Sequence, residues 1–165
     1  MPKRVRFAEL LESHEREIHR FLYRMSGNAE DASDLLQETF LRAFQAFPRL
    51  PHDANYRAWL YRIAHNQALN LFRARRARRT EPLDEAGALQ DSNGNPESLE
   101  ESRRAARVLR RVIRGLTPRQ RSALLLKKYE GLSYTEVAAV LGSTEENARA
   151  HVYQAMKRIR AELKS

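Results

Sequence analysis

Apolar residues recur at three-to-four spacing in several stretches of this 165-residue chain, and each stretch predicts a helix. Phe7, Leu10, Leu11, Ile18, Phe21, Leu22 and Met25 mark the first, over residues 7–26. "GNAED" breaks it, and Asn28 is placed to cap a following helix whose early acids suit the positive end of its dipole. That helix, "DASDLLQETFLRAFQAF", puts Leu36, Phe40, Ala43, Phe44 and Phe47 on its predicted buried side. Its other side shows Asp31, Asp34, Leu35, Glu38, Leu41 and Arg42. "PRLPHDAN" follows as a loop with two prolines. The longest predicted helix, "YRAWLYRIAHNQALNLFRARRARR", buries Leu60, Ile63, Ala64, Ala68, Leu71 and Phe72. Arg62, Asn66, Asn70 and Arg73 run down another side, and Arg75, Arg76, Arg78 and Arg79 crowd its end.

The pattern tightens near the other end of the chain. Ser133 and Glu136 have the spacing of a capping box, so a helix starts at about Tyr134. Val137, Ala138, Val140 and Leu141 form its apolar side, and Gly142 permits the positive φ that ends it. Ser143 and Glu146 repeat the capping spacing, and a second stripe follows at Ala148, Val152, Ala155, Met156, Ile159 and Leu163. Two capped helices around a short glycine turn fit a helix-turn-helix. The second helix then turns Glu146, Asn147, Ala150, Tyr153, Gln154 and Lys157 away from the core, with Arg149 and His151 on the flanks. In a helix-turn-helix the N-terminal part of that face enters the major groove. The competing reading is an ordinary helical hairpin.

Charge divides the chain. Residues 1–80 carry a net +6, residues 81–102 a net −7 with no basic residue, and residues 103–165 a net +10. The acidic strap, "EPLDEAGALQDSNGNPESLEES", has few large apolar residues and reads as a flexible linker. With scarce glycine and no alternating strand pattern, the expected fold is all-α. Two small helical domains are joined by the flexible acidic linker, and the second ends in the helix-turn-helix. A sequence pI near 10.3 favours a polyanionic partner, most often nucleic acid. No apolar run approaches the roughly 20 residues that span a bilayer, and no signal peptide opens the chain. Zero cysteines exclude disulfides and thiolate–zinc sites within it. These absences point towards an intracellular address without membrane insertion.

Three candidate sites carry chemistry. Asp31, Asp34 and Glu38 share one helix face with Leu35 and Leu41, an odd mixture for a solvated surface. A solvated face and a protein-docking face both fit; a metal site lacks any histidine at ligand spacing. On the long helix, arginine with asparagine suits phosphate positioning plus base-edge contacts. Tyr56, Trp59, Tyr61 and His65 beside them offer flat faces for unstacked bases, although Trp59 serves equally as a core anchor. No nucleophile–base pair, phosphate loop or metal cluster is visible, and His14, His19 and His52 match no ligand template.

"AEDASDLLQETFLRAFQAF", "NYRAWLYRIAHNQALNLFRARRAR" and "LTPRQRSALLLKKYEGLSYTEVAAVLGS" together resemble regions 2.2, 2.3–2.4 and 4.1–4.2 of bacterial extracytoplasmic-function (ECF) sigma factors, members of the primary-sigma superfamily. The resemblance implies a cytoplasmic, non-enzymatic promoter-specificity subunit with no cofactor or metal. Its partners would be core RNA polymerase, promoter DNA and an anti-sigma factor. A region 2 domain over 1–80 would dock Asp31, Asp34, Leu35, Gln37, Glu38 and Leu41 on the β′ clamp coiled coil. It would also melt the minus-ten element with Tyr56, Trp59, Arg62, Asn66, Asn70 and Arg73. A region 4 domain over 103–165 would read the minus-thirty-five element with Glu146, Asn147, Arg149, His151, Tyr153 and Gln154. Its helix from Thr117-Pro118 would lie near the β flap. Ala150-His151 stands where many relatives have Ser-Arg, so the minus-thirty-five sequence is not read from these residues. A stand-alone helix-turn-helix regulator is the alternative, although it has no use for the acid–leucine face.

Overall fold

Local capping chemistry sets most helix boundaries. The computed structural model describes residues 6–78 and 96–164. In the first half, α1 (Phe7–Ser26) ends at Gly27, whose φ of 70° lets its N–H reach the Tyr23 carbonyl. The Asn28 side chain accepts from the Asp31 N–H at 3.1 Å and starts α2 (Ala29–Ala46). A 3₁₀ turn over Phe47–Arg49 leads to the loop, where the Asn55 side chain accepts from the Ala58 N–H at 3.1 Å as α3 (Tyr56–Arg78) begins.

In the second half, α4 (Pro96–Gly115) precedes α5 (Pro118–Leu124), which opens with a complete Thr117–Gln120 capping box. One wide π turn, Leu125–Tyr129, carries the chain towards α6 (Tyr134–Leu141) and α7 (Glu145–Lys164). Both halves of the Ser133–Glu136 capping box are present, and Gly142 adopts φ 64°. The all-α architecture and the helix-turn-helix are as expected. The cap of α7 differs from expectation by one residue: Thr144 Oγ1 accepts the Asn147 N–H at 3.1 Å. Ser143 Oγ instead accepts the Asn147 side-chain amide at 2.9 Å, and Glu146 closes no box.

The expected linker over 81–102 also ends earlier, because residues 96–102 belong to α4. Proline at the first helical position and acids in the early turns favour a helix start there. Residues 81–95 and Arg79 lie outside the described residues.

Packing overrides the expected stripe on α2. Its buried residues are Ala32, Leu35, Thr39 and Ala43, while Phe44 is 63% exposed. Leu36, Phe40 and Phe47 are only half-buried. The helix lies against α1 and α3 together, so the buried arc is centred between the two rather than on its bulkiest side chains. Fully buried Ala32 and Ala43 leave room for both neighbours to approach.

α3 is likewise covered on more than one side. Besides Leu60, Ala64 and Ala68, it buries Tyr61, His65 and Leu69. α1 and α2 contact it from the first half, α5 and α6 from the second, and one apolar cluster runs through both halves. Tyr61 meets Phe21 edge-on at 5.3 Å, a geometry worth about 0.5–1.5 kcal/mol beyond area burial. Arg121 binds the halves further. It donates to the Ile113 and Arg114 carbonyls of α4 and, at 2.6 Å, to the Met25 carbonyl of α1. Burial, then Arg114, pushes the Arg121 guanidinium pKa down to about 10.

Candidate nucleic-acid and docking surfaces

An open concavity lies between the end of α2 and the middle of α3. Trp59, Asn66 and Asn70 line it from α3, facing Arg42, Gln45 and, from the following turn, Arg49. The α3 wall offers an indole and the amides of Asn66, Gln67 and Asn70; the other offers two guanidinium groups and the Gln45 amide. An unstacked base fits the first and a phosphate the second. Arg62 and Arg73 are exposed on the same helix. Tyr56 sits at the α3 start with its hydroxyl donating to the His52 carbonyl at 3.3 Å, its ring near Phe47.

The structure thus gathers three of the expected minus-ten residues in one groove and adds Arg42, Gln45 and Arg49. Arg42 and Gln45 stand one turn apart at the end of α2 and Arg49 lies in the turn that follows, but nothing in the sequence pairs them with α3.

Tyr61 and His65 are not available to bases. Tyr61 is fully buried, and its hydroxyl donates to Glu130 Oε2 at 2.9 Å. Burial, then the Glu130 charge, raises its pKa. His65 Nδ1 lies 2.7 Å from Ser122 Oγ, and its Nε2 is buried without a partner. Burial first, then the Arg119 and Arg73 charges, lowers the His65 pKa to about 4. Both were expected on an open face because helical period alone does not reveal that the second half covers this side.

The acidic face of α2 also changes membership. Leu35, expected to be exposed, is 7% exposed and part of the core. Asp31 is ion-paired with Arg75 of α3. Asp34 and Gln37 face solvent, Glu38 pairs with Arg42 at 3.0 Å, and Leu41 is 53% exposed. Phe44 extends that face one turn further. Gln37, Leu41 and Phe44 follow i, i+4, i+7 spacing, a signal masked by assigning Phe44 to the core with the other phenylalanines of α2. Among the described residues no group of three or more His, Asp and Glu side chains gathers as a metal site.

On α7, Glu146, Asn147, Arg149, Tyr153 and Gln154 are exposed, whereas His151 is half-buried with its pKa lowered by burial and then by Arg119. The Arg149 guanidinium stands 4.3 Å from the centre of the Tyr134 ring, and Lys127 Nζ is 4.4 Å from the same ring. Glu145, the other acid at the helix start, accepts from the Thr135 hydroxyl and so ties α7 to α6.

A basic helical chain with a groove in one half and a helix-turn-helix in the other has the features of a nucleic-acid-binding protein. Comparison with known sequences narrows the class. Residues 10–78 match Sigma-70 region 2, and residues 106–159 match Sigma-70 region 4. The chain is 34% identical over 153 residues to "ECF RNA polymerase sigma factor SigE" of Mycolicibacterium smegmatis, covering 92% of this chain and 59% of that protein. It is 32% identical over 138 residues to "ECF RNA polymerase sigma-E factor" of Salmonella typhimurium, covering 78% of this chain and 72% of that protein. The fold matches Bartonella quintana RpoE, solved with the anti-sigma factor NepR, with a TM-score of 0.80, 21% identity and 96% of each chain covered. The chain belongs to the ECF sigma factors of the sigma-70 family. No described helix is long and apolar enough to cross a membrane.

Proposed function

We propose that this chain is an alternative sigma factor, which binds bacterial core RNA polymerase in the cytoplasm and directs promoter-specific initiation without catalysing a reaction itself. The observation that carries the reading is the α2–α3 groove, in the same chain as a capped helix-turn-helix and within a region 2 match. A stand-alone helix-turn-helix regulator has no use for that groove.

The first half, residues 1–80, docks on the β′ clamp coiled coil through Asp34, Gln37, Glu38 and Leu41 of α2, with Phe44 beside them. Mixed acidic and apolar chemistry suits a basic, partly apolar partner. Trp59, Asn66 and Asn70 receive an unstacked base of the non-template strand at the minus-ten element. Arg42, Arg49, Arg62 and Arg73 hold the flanking phosphates. Tyr56 and the loop from Pro48 to Asn55 border this path. The second half, residues 103–165, reads the minus-thirty-five duplex with Arg149, Asn147, Gln154 and Tyr153. Glu146 and half-buried His151 lie at the edge of the reading surface. The region around α5 approaches the β flap. An anti-sigma factor controls the chain, in keeping with the solved complex of Bartonella quintana RpoE with NepR.

Run-off transcription with purified core polymerase tests the whole reading: adding this chain should make initiation promoter-dependent. No promoter-dependent transcript, on templates recovered from DNA bound in cells, overturns it.

A further inference from the structure

The helix-turn-helix holds two cations over one aromatic ring. Tyr134 is the first residue of α6, placed there by the Ser133–Glu136 capping box, and its half-buried ring packs against the core. Lys127 Nζ stands 4.4 Å from the ring centre and the Arg149 guanidinium 4.3 Å. The three residues come from separate elements. Lys127 belongs to the π turn Leu125–Tyr129, where buried Leu125 and Leu126 anchor the backbone and Lys127 stays half-buried. Single π turns are frequent at functional sites. Arg149 is exposed on the second turn of α7, whose start is tied to α6 where Glu145 accepts from the Thr135 hydroxyl.

The ring quadrupole attracts each cation, but the two cations repel one another. Neither forms an ion pair with a carboxylate among the described residues. Two cations gathered on a core-backed ring without a counter-charge suit an anion from outside the chain. Their place selects that anion. In a helix-turn-helix the first helix crosses the sugar–phosphate backbone while the second lies in the groove. Arg149 leans onto the first residue of that first helix, towards the edge where a strand passes. An arginine extended from α7 would reach for a guanine edge; one stacked on Tyr134 is turned to the strand instead.

We infer that Tyr134 positions Lys127 and Arg149 as a clamp on backbone phosphates at the minus-thirty-five element. The clamp fixes the register of α7 and leaves base discrimination to Asn147, Tyr153 and Gln154, which are exposed on the same helix. The inference rests on the proposed reading of α7 as the duplex-binding helix.

The test uses the chain assembled with core polymerase, titrated in the cold, before strand opening, with fluorescent duplexes recovered from DNA bound in cells. The minus-thirty-five element is intact or scrambled, and the salt concentration is varied. Arg149→Ala and Lys127→Gln should each weaken binding to both duplexes several-fold and flatten the salt slope by about 0.9, with the intact-to-scrambled ratio kept within about twofold of the parent's. Tyr134→Leu should weaken both about two- to fivefold and flatten the slope in the same direction, with helix content by circular dichroism unchanged. Tyr134→Phe keeps the ring face and should behave as the parent. A purely structural ring would change stability without changing the slope. If Tyr134→Leu loses helix content, Tyr134→Met takes its place with the same expectation. A collapsed intact-to-scrambled ratio in Arg149→Ala makes Arg149 a base reader and overturns the clamp, as do parent-like slopes in Arg149→Ala and Lys127→Gln. A parent-like slope in the ringless variant, or Tyr134→Phe as weak as that variant, overturns the positioning role of the ring. A parent that binds intact and scrambled elements equally overturns the reading of α7 instead.

Discussion

The two halves present their surfaces by different means. The reading surface of the second half belongs to a single helix, α7, oriented by a short glycine turn and adjacent caps. The groove of the first half has walls from two helices and a turn, brought together only when α2 and α3 pack. A surface on one helix follows from local periodicity. A groove between helices depends on which of several apolar arcs each helix chooses to bury, and α2 chose the one containing Leu35 and small residues over the one containing Phe44.

The sharpest way to break this comparison is on α2. Leu35→Asp buries a charge in the core and should destabilise the chain by several kcal/mol, read by urea unfolding. Leu41→Asp, at an exposed position, should cost less than about 1 kcal/mol, and Phe44→Ala about 0.5–1.5 kcal/mol because its ring meets Phe7 edge-on at 5.4 Å. Both should weaken core-polymerase affinity by ten- to a hundredfold, about 1.4–2.8 kcal/mol. Unchanged affinity in both would remove the proposed docking face.

Acid should loosen the contact between the halves next. His65 is neutral when buried, with its pKa down to about 4 against an ordinary ~6.5. The unfolded chain therefore binds the extra proton first, and stability is fully present above about pH 6.5 and lost as pH falls towards 4. The loss should be of the order of 3 kcal/mol, and His65→Gln should remove that part of the pH dependence in chemical denaturation.

Within the reading surface, Arg149→Ala should cost about 1–3 kcal/mol on the cognate minus-thirty-five element if the guanidinium pairs with a base, with relaxed specificity there. A phosphate role would weaken binding to cognate and scrambled duplexes alike and flatten the salt dependence. Titrating both duplexes at two salt concentrations separates these outcomes. No loss on either duplex would show that α7 is not the reading head.

The smallest effect tests the cap. Thr144→Ala should destabilise α7 by about 1 kcal/mol, whereas Ser143→Ala, which removes only a side-chain contact with Asn147, should lie within about 0.5 kcal/mol. Thermal unfolding of the two variants measures the difference.

Sequence alone determined the features that depend on a few consecutive residues. The Ser133–Glu136 box, the Asn28 cap and the left-handed turn at Gly142 were all legible. So was the apolar stripe of α1, because hydrogen bonds and sterics within one turn act whatever the rest of the chain does. The family was legible too, through three segments in order. Tertiary structure alone decided the pairing of Trp59 and Asn66 with Arg42 and Arg49, the burial of Leu35 and the exposure of Phe44. It also turned Tyr61 and His65 from open faces into parts of a seam and placed Glu130, an acid in a bend, between the halves. An α-helix with apolar residues on more than one arc does not specify its partners, and a buried charge is tolerated only where long-range packing assembles its donors around it.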